Sequence, residues 1–91
     1  MGRLEKRLFR IADQVAALVA ERQQVSEELE FHRHIDDDAQ RDAAVSGFDE
    51  DRLEATSTAA DVRRFEKRLA DIDDTLARLE QKRTALLAKL D

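Results

Sequence analysis

The chain has 91 residues, of which 41% are charged, and a formal net charge of −5 at pH 7. It contains no cysteine, proline, tryptophan or tyrosine. The lack of cysteine excludes disulfide bonds and thiolate metal sites, and the length limits the chain to one domain. Because a domain of this size buries a smaller share of its surface than a large domain does, we expect self-association to add to its core.

The N-terminal residues and the hydropathy of the chain bear on its location. Residues 1–7 carry three basic side chains and one acidic side chain, which is too much charge for a signal peptide. No apolar run approaches the roughly 20 residues of a membrane-spanning helix. We therefore predict a cytoplasmic protein that does not associate with a membrane.

A heptad repeat begins near the N-terminus and predicts a first helix over about residues 3–45. Nine positions follow one another at alternating steps of four and three, and seven of them are aliphatic. The nine are Leu4, Leu8, Ile11, Val15, Leu18, Arg22, Val25, Leu29 and His32.

Gly47 follows this first helix and predicts a turn over about residues 46–49. Glycine tolerates the positive φ that ends a helix and reverses the chain. Asp49 is then the expected N-cap of a second helix over about residues 50–90. The second helix has its own repeat, formed by Val62, Phe65, Leu69, Ile72, Leu76, Leu79, Arg83, Leu86 and Leu90.

The two repeats match each other as antiparallel partners. Facing core positions in a hairpin have residue numbers with a constant sum, and Leu4 with Leu90 and Leu29 with Phe65 both give 94, whose midpoint is Gly47. The prediction is an all-α single domain over residues 1–91. We expect a long antiparallel two-helix coiled-coil hairpin, roughly 60 Å in length, that dimerises into a four-helix bundle.

Three polar residues interrupt the repeats. Arg22 faces Ile72, Arg83 faces Ile11, and His32 faces Val62 in the predicted register. We expect the aliphatic stems of the arginines to pack while each guanidinium reaches a carboxylate such as Asp71, Asp73 or Glu80. The alternative is that these residues fix the register or the oligomeric state at some loss of stability.

Apolar side chains outside the repeats predict two further contact surfaces. The first is a self-association face near the open end of the hairpin, where the alternative is a few small apolar residues on a solvated helix. Its residues are Phe9, Ala12, Ala16 and Val19 on the first helix and Leu87 on the second, with Thr84 and Ala77 beside Leu87.

The second surface lies on the opposite flank, nearer the turn. Phe31 and Ile35 are one helical turn apart and precede the acidic run Asp36, Asp37 and Asp38. We predict that these five residues contact a protein partner; the alternative is that the distal segment folds back and covers the two apolar side chains. Residues 36–54 carry eight acidic residues and two arginines, so binding of nucleic-acid phosphates is not expected.

The sequence contains few residues that could form a metal site or a catalytic site. His32, His34 and the run 36–38 form the one cluster of metal-ligand types, and His32 and Asp36 share a helical face. No second ligand group converges on them, so we predict no metal and no cofactor. Without a glycine-rich phosphate loop or a nucleophile beside a base, we predict that the chain is not an enzyme.

The plan of a coiled-coil hairpin with an acidic tip resembles the N-terminal hairpin of bacterial transcript-cleavage factors of the Gre type. That resemblance implies a tip that enters RNA polymerase. The chain is also similar to small actinobacterial anti-sigma hairpins that bind cyclic di-GMP through a Glu, Ser, Arg, Gln, Asp series. Of the corresponding residues Thr56, Ala60, Arg63, Lys67 and Asp71, only Arg63 and Asp71 agree, so the resemblance implies sequestration of a transcription factor and not nucleotide binding.

Three functions are compatible with these patterns. The first is a non-catalytic protein-interaction module, a small bacterial regulatory protein that binds a larger protein, with the transcription machinery as one candidate. The second is a structural or scaffolding homo-oligomer. The third is a ligand-responsive or metal-responsive helical hairpin.

Overall fold

The computed structural model describes residues 2–90, which form two long helices. Helix α1 spans Arg3–Ser46 and helix α2 spans Asp49–Ala88, and the chain measures 66 × 16 × 13 Å. The all-α, two-helix hairpin is therefore confirmed, with helix ends within two residues of those predicted. Residues 1 and 91, which belong to the predicted domain, lie outside the described residues.

The turn between the helices is centred on Gly47. Its φ of 69° is left-handed, and its N–H donates to the carbonyl of Ala43 at 3.2 Å, a pattern typical of a helix that ends at glycine. The N-cap of α2 is Phe48 and not Asp49, and Phe48 makes no side-chain capping bond. The expectation for Asp49 was wrong by one position: Asp49 already lies in the first turn of α2, where its carboxylate interacts favourably with the helix dipole.

The core runs along the predicted repeats and their continuation toward the turn. Within residues 2–90, the buried side chains are Ile11, Val25, Leu29, Ala39, Ala55, Thr58, Ile72, Leu79 and Leu86. All lie at heptad positions, because only one stripe of each helix in a two-helix rod can be covered by the other helix. Ile72 is the most completely buried, at 1% exposure.

Interhelix contacts confirm the antiparallel register. Thr58 Oγ1 donates to Asp36 Oδ1 at 2.8 Å, and this pair sums to 94, as predicted for facing positions. The His32 ring stacks on Phe65 with centroids 4.6 Å apart, so the imidazole lies against an aromatic ring one turn from Val62. The polar residue at this core position is accommodated by stacking.

The interrupting arginines reach outward, as expected. Arg22 Nε and Nη2 donate to the two oxygens of Asp73 at 2.6 and 3.2 Å. This hydrogen-bonded ion pair raises the pKa of Arg22 and lowers that of Asp73. Arg83 lies 3.6 Å from Glu80. The stems can therefore occupy core positions without burying an unpaired charge.

Candidate protein-interaction surfaces

The predicted self-association residues form a continuous apolar stripe, here called the proximal surface: Phe9, Ala12, Ala16, Val19 and Leu87. All five are exposed, with Phe9 at 58%, Val19 at 53% and Leu87 at 44%. Each of the four α1 residues follows a core position by one residue, so they share the face beside the seam. Two alanines between Phe9 and Val19 leave the middle of the stripe shallow.

The predicted partner surface on the opposite flank is only partly exposed. Phe31 is 63% exposed, and its ring meets His32 edge-on with centroids 5.8 Å apart. Ile35 is half-buried, because its position borders the seam and the hairpin itself covers part of it. Phe31 is thus the main apolar side chain that this flank presents.

The three aspartates of the acidic run differ in their surroundings. Asp37 and Asp38 are exposed, and Asp38 forms an ion pair with Arg41. Asp36 faces α2 and is half-buried. Its place between the helices separates it from the outer surface that Asp37 and Asp38 share, although the prediction grouped all three as partner contacts.

Asp36, Gln40 and Thr58 form a hydrogen-bonded cluster between the helices, here called the polar node. Asp36 Oδ1 accepts from Gln40 Nε2 at 3.0 Å and from Thr58 Oγ1 at 2.8 Å, and Gln40 Nε2 also donates to the carbonyl of Ala55 at 2.9 Å. The bonds from Gln40 and Thr58, with a smaller contribution from the charge of Arg63, hold the pKa of Asp36 below its usual value.

Three large apolar side chains around the turn were missed by sequence reasoning and are called the tip residues: Val45, Phe48 and Leu53. They are 88%, 68% and 71% exposed. Val45 and Leu53 lie off the continued repeats, and Phe48 lies in the turn, where no second helix covers it. The sequence feature that could have identified them is the presence of large apolar residues close to the turn and outside the repeat.

Formal charge is separated along the rod. The segment 36–54 carries eight acidic residues and two arginines, a net charge of −6, and the structure places it at the turn. At the open end, residues 3–20 and 75–90 together carry eight basic and three acidic residues. The tip residues are therefore surrounded by carboxylates, whereas the proximal surface lies in the basic half.

The described residues show no built site for a metal or small ligand. Within residues 2–90, no group of three or more ligand-type side chains is placed to hold a metal ion, and His34 lies 3.6 Å from Glu30. One depression, about 420 Å³, is an open groove near the turn whose lining includes Gln40, Arg52 and Arg63. Its shape is that of a surface between two helices and not of an enclosed pocket.

Neither helix in the described part of the chain has a stretch that is long and apolar enough to cross a membrane. Comparison of the chain with protein-family models, with curated proteins and with solved structures found no match.

Proposed function

We propose that the chain is a non-catalytic protein-interaction module, a small regulatory hairpin of the cytoplasm that binds a larger protein through its distal half. The observation that carries this proposal is the exposure of Val45, Phe48 and Leu53 at the end of the rod that bears a net charge of −6. Phe31, Asp37 and Asp38 are further exposed residues in the same half of the rod.

Exposed apolar side chains grouped at one end of a small protein are typical of an interaction site. Aromatic residues supply much of the binding energy at interfaces, and surrounding carboxylates direct association and select against acidic partners. The distal half therefore fits an apolar groove bordered by lysine or arginine. The transcription machinery is proposed as the partner class on the resemblance to Gre-type hairpins alone.

The test is an affinity capture from extract of the native host with three matched variants. Phe31→Ser and Phe48→Ser remove distal aromatic rings, and Phe9→Ser removes an equally exposed ring at the other end. We expect the two distal variants to lose captured proteins that the wild type and Phe9→Ser retain, with helicity unchanged by circular dichroism. Identical captures by all four chains would contradict the proposal.

A second candidate function, a structural homo-oligomer, is favoured by the proximal surface. Five exposed apolar residues on one face can pack against another hairpin to form a four-helix bundle. Sedimentation at micromolar concentration tests this, since a monomer would contradict it. The third candidate, a metal-responsive or nucleotide-responsive hairpin, requires a rise in melting temperature when divalent metal or nucleotide is added.

A further inference from the structure

The proximal surface is complementary to itself when one copy is reversed. In a two-fold symmetric contact between antiparallel helices, facing residues have numbers with a constant sum. Phe9 with Val19 and Ala12 with Ala16 both give 28. Large side chains then meet at the two ends of the contact, and alanines meet in the middle, where the helix axes can approach closely.

We propose that two copies of the chain associate through the proximal surface, with α1 antiparallel to α1 of the second copy and the two turns pointing in opposite directions. The contact is centred between Ala12 and Ala16. This inference rests on the self-association considered above as the second candidate, and it is independent of the partner proposed for the distal half.

The residues at the two ends of the proximal surface follow the same symmetry. Glu5 and Gln23 are the next positions on this face, and they also sum to 28. Gln23 is exposed and its Nε2 donates to Glu27 at 3.0 Å; in the dimer this exposed bond is exchanged for one to Glu5 of the second copy. A polar pair therefore closes each end of the apolar contact, as expected at the rim of an interface.

Charge selects this direction over the alternative. If the two rods pointed the same way, two tips of net charge −6 would lie side by side, within the roughly 10 Å over which charges repel at moderate salt. In the opposite direction only the proximal halves overlap. The basic residues of segment 3–10 then lie level with segments 18–25 and 69–76 of the second copy, which include Glu21, Asp73 and Asp74.

One acidic residue opposes this arrangement. Asp13 is exposed on the flank of the stripe, and near the two-fold axis it lies beside Asp13 of the second copy. Two like charges in this position weaken the dimer. Asp13→Asn should therefore tighten the antiparallel dimer, and we expect its Kd to fall.

The arrangement has a consequence for binding. With the axis near residue 14 and the turn at residue 47, each tip is about 50 Å from the centre, so the two tips are roughly 100 Å apart at 1.5 Å per residue. The dimer then presents two distal surfaces that face away from each other. Such a dimer binds two partner molecules, one at each distal surface.

Sedimentation equilibrium tests the surface. We expect the wild type to dimerise at micromolar concentration, and Phe9→Ser to raise the Kd by about 30-fold or more, the effect of losing an interface hot spot. Phe31→Ser is the matched control, because it removes the same side chain at similar exposure from the opposite flank of α1, and it should leave the Kd unchanged. A monomeric wild type at about 100 micromolar, or dissociation by Phe31→Ser alone, would overturn the proposal.

Spin-label distances test the direction. The chain has no cysteine, so Gln24→Cys and His34→Cys each provide one labelling site. Antiparallel copies centred near residue 14 place identical residues further apart by about 3 Å per residue, which gives about 30 Å between labels at position 24 and about 60 Å at position 34. Two short and similar distances would overturn the antiparallel arrangement while leaving self-association and the distal partner proposal intact.

Discussion

The stem and the arm of the hairpin share one register but differ in their core side chains, which are large and aliphatic in the stem and small or polar in the arm. We define the stem as residues 4–32 with 62–90 and the arm as residues 36–58. Stem positions pair large aliphatic residues such as Leu18 with Leu76, whereas the arm brings Ala39 and Ala55 into its core and joins Asp36 to Thr58 by a hydrogen bond. Hairpin geometry therefore determines the register in both regions, and the core side chains determine how stable each region is.

The arm also reverses the usual distribution of polarity. Its core contains alanines and the polar node, while Val45, Phe48 and Leu53 are exposed. In the stem, large apolar residues fill the core and also form the proximal surface. A region that exposes its largest apolar side chains gains little stability from them, which is why we propose that the arm, together with Phe31 beside it, binds the partner.

The largest expected difference between the regions comes from truncating a stem core residue. Ile72 is 1% exposed, and Ile72→Ala should lower the free energy of unfolding by about 2–4 kcal/mol, since it removes buried methylenes and leaves a cavity. Urea denaturation at fixed chain concentration measures the change. Leu53→Ala in the arm, at 71% exposure, should change it by less than about 0.5 kcal/mol. Equal losses would contradict the contrast.

A smaller loss is expected from the polar node. Thr58→Val keeps the shape of the side chain but removes the hydroxyl that donates to Asp36, at a cost of about 1 kcal/mol. Thr56→Val is the matched control, because Thr56 Oγ1 is exposed and donates only within α2, to the carbonyl of Arg52 at 3.0 Å. If the two valine variants unfold at the same urea concentration, the node does not stabilise the arm.

Acid should weaken the same node. The pKa of Asp36 and that of Asp73 lie below the ordinary value of 3.8, so their ionised forms contribute stability that is fully present above that pH. The contribution is lost as pH falls through the folded pKa. We expect the melting temperature to fall below about pH 4 and Asp36→Asn to make that fall shallower. Asp37→Asn, which makes the same change in net charge on the exposed face, should leave the slope unchanged.

The smallest effect is expected at Arg22 in the stem. Its ion pair with Asp73 is about half exposed, and exposed pairs contribute little because solvent screens them. Arg22→Met keeps an unbranched side chain at the core position, so the urea midpoint should move less than it does for Thr58→Val. A larger loss than that of Thr58→Val would show that Arg22 fixes the register.

The sequence predicted the helices and their register because a heptad repeat and a single glycine at the midpoint leave few alternatives. It also predicted the outward reach of Arg22 and Arg83. It did not predict the N-cap at Phe48, since a one-residue shift at a helix end changes little energy. Continuation of the repeat placed Asp36 and Thr58 at facing positions, but it did not predict their hydrogen bond, because that bond depends on the packing of small residues across the arm.

The tip residues were missed for a different reason. A heptad repeat indicates which residues lie in the seam and on its flanks, whereas exposure at a turn depends on where the second helix begins. Only the structure shows that Phe48 and Val45 have no helix above them.

The most direct test of the central claim, that the two ends of the rod perform separate tasks, is the solution mass of three chains by light scattering at two concentrations. The account predicts dimers for the wild type and for Phe31→Ser, and a monomer for Phe9→Ser. A monomer for Phe31→Ser together with a dimer for Phe9→Ser would contradict it, because the surface that joins two copies would then lie in the distal half.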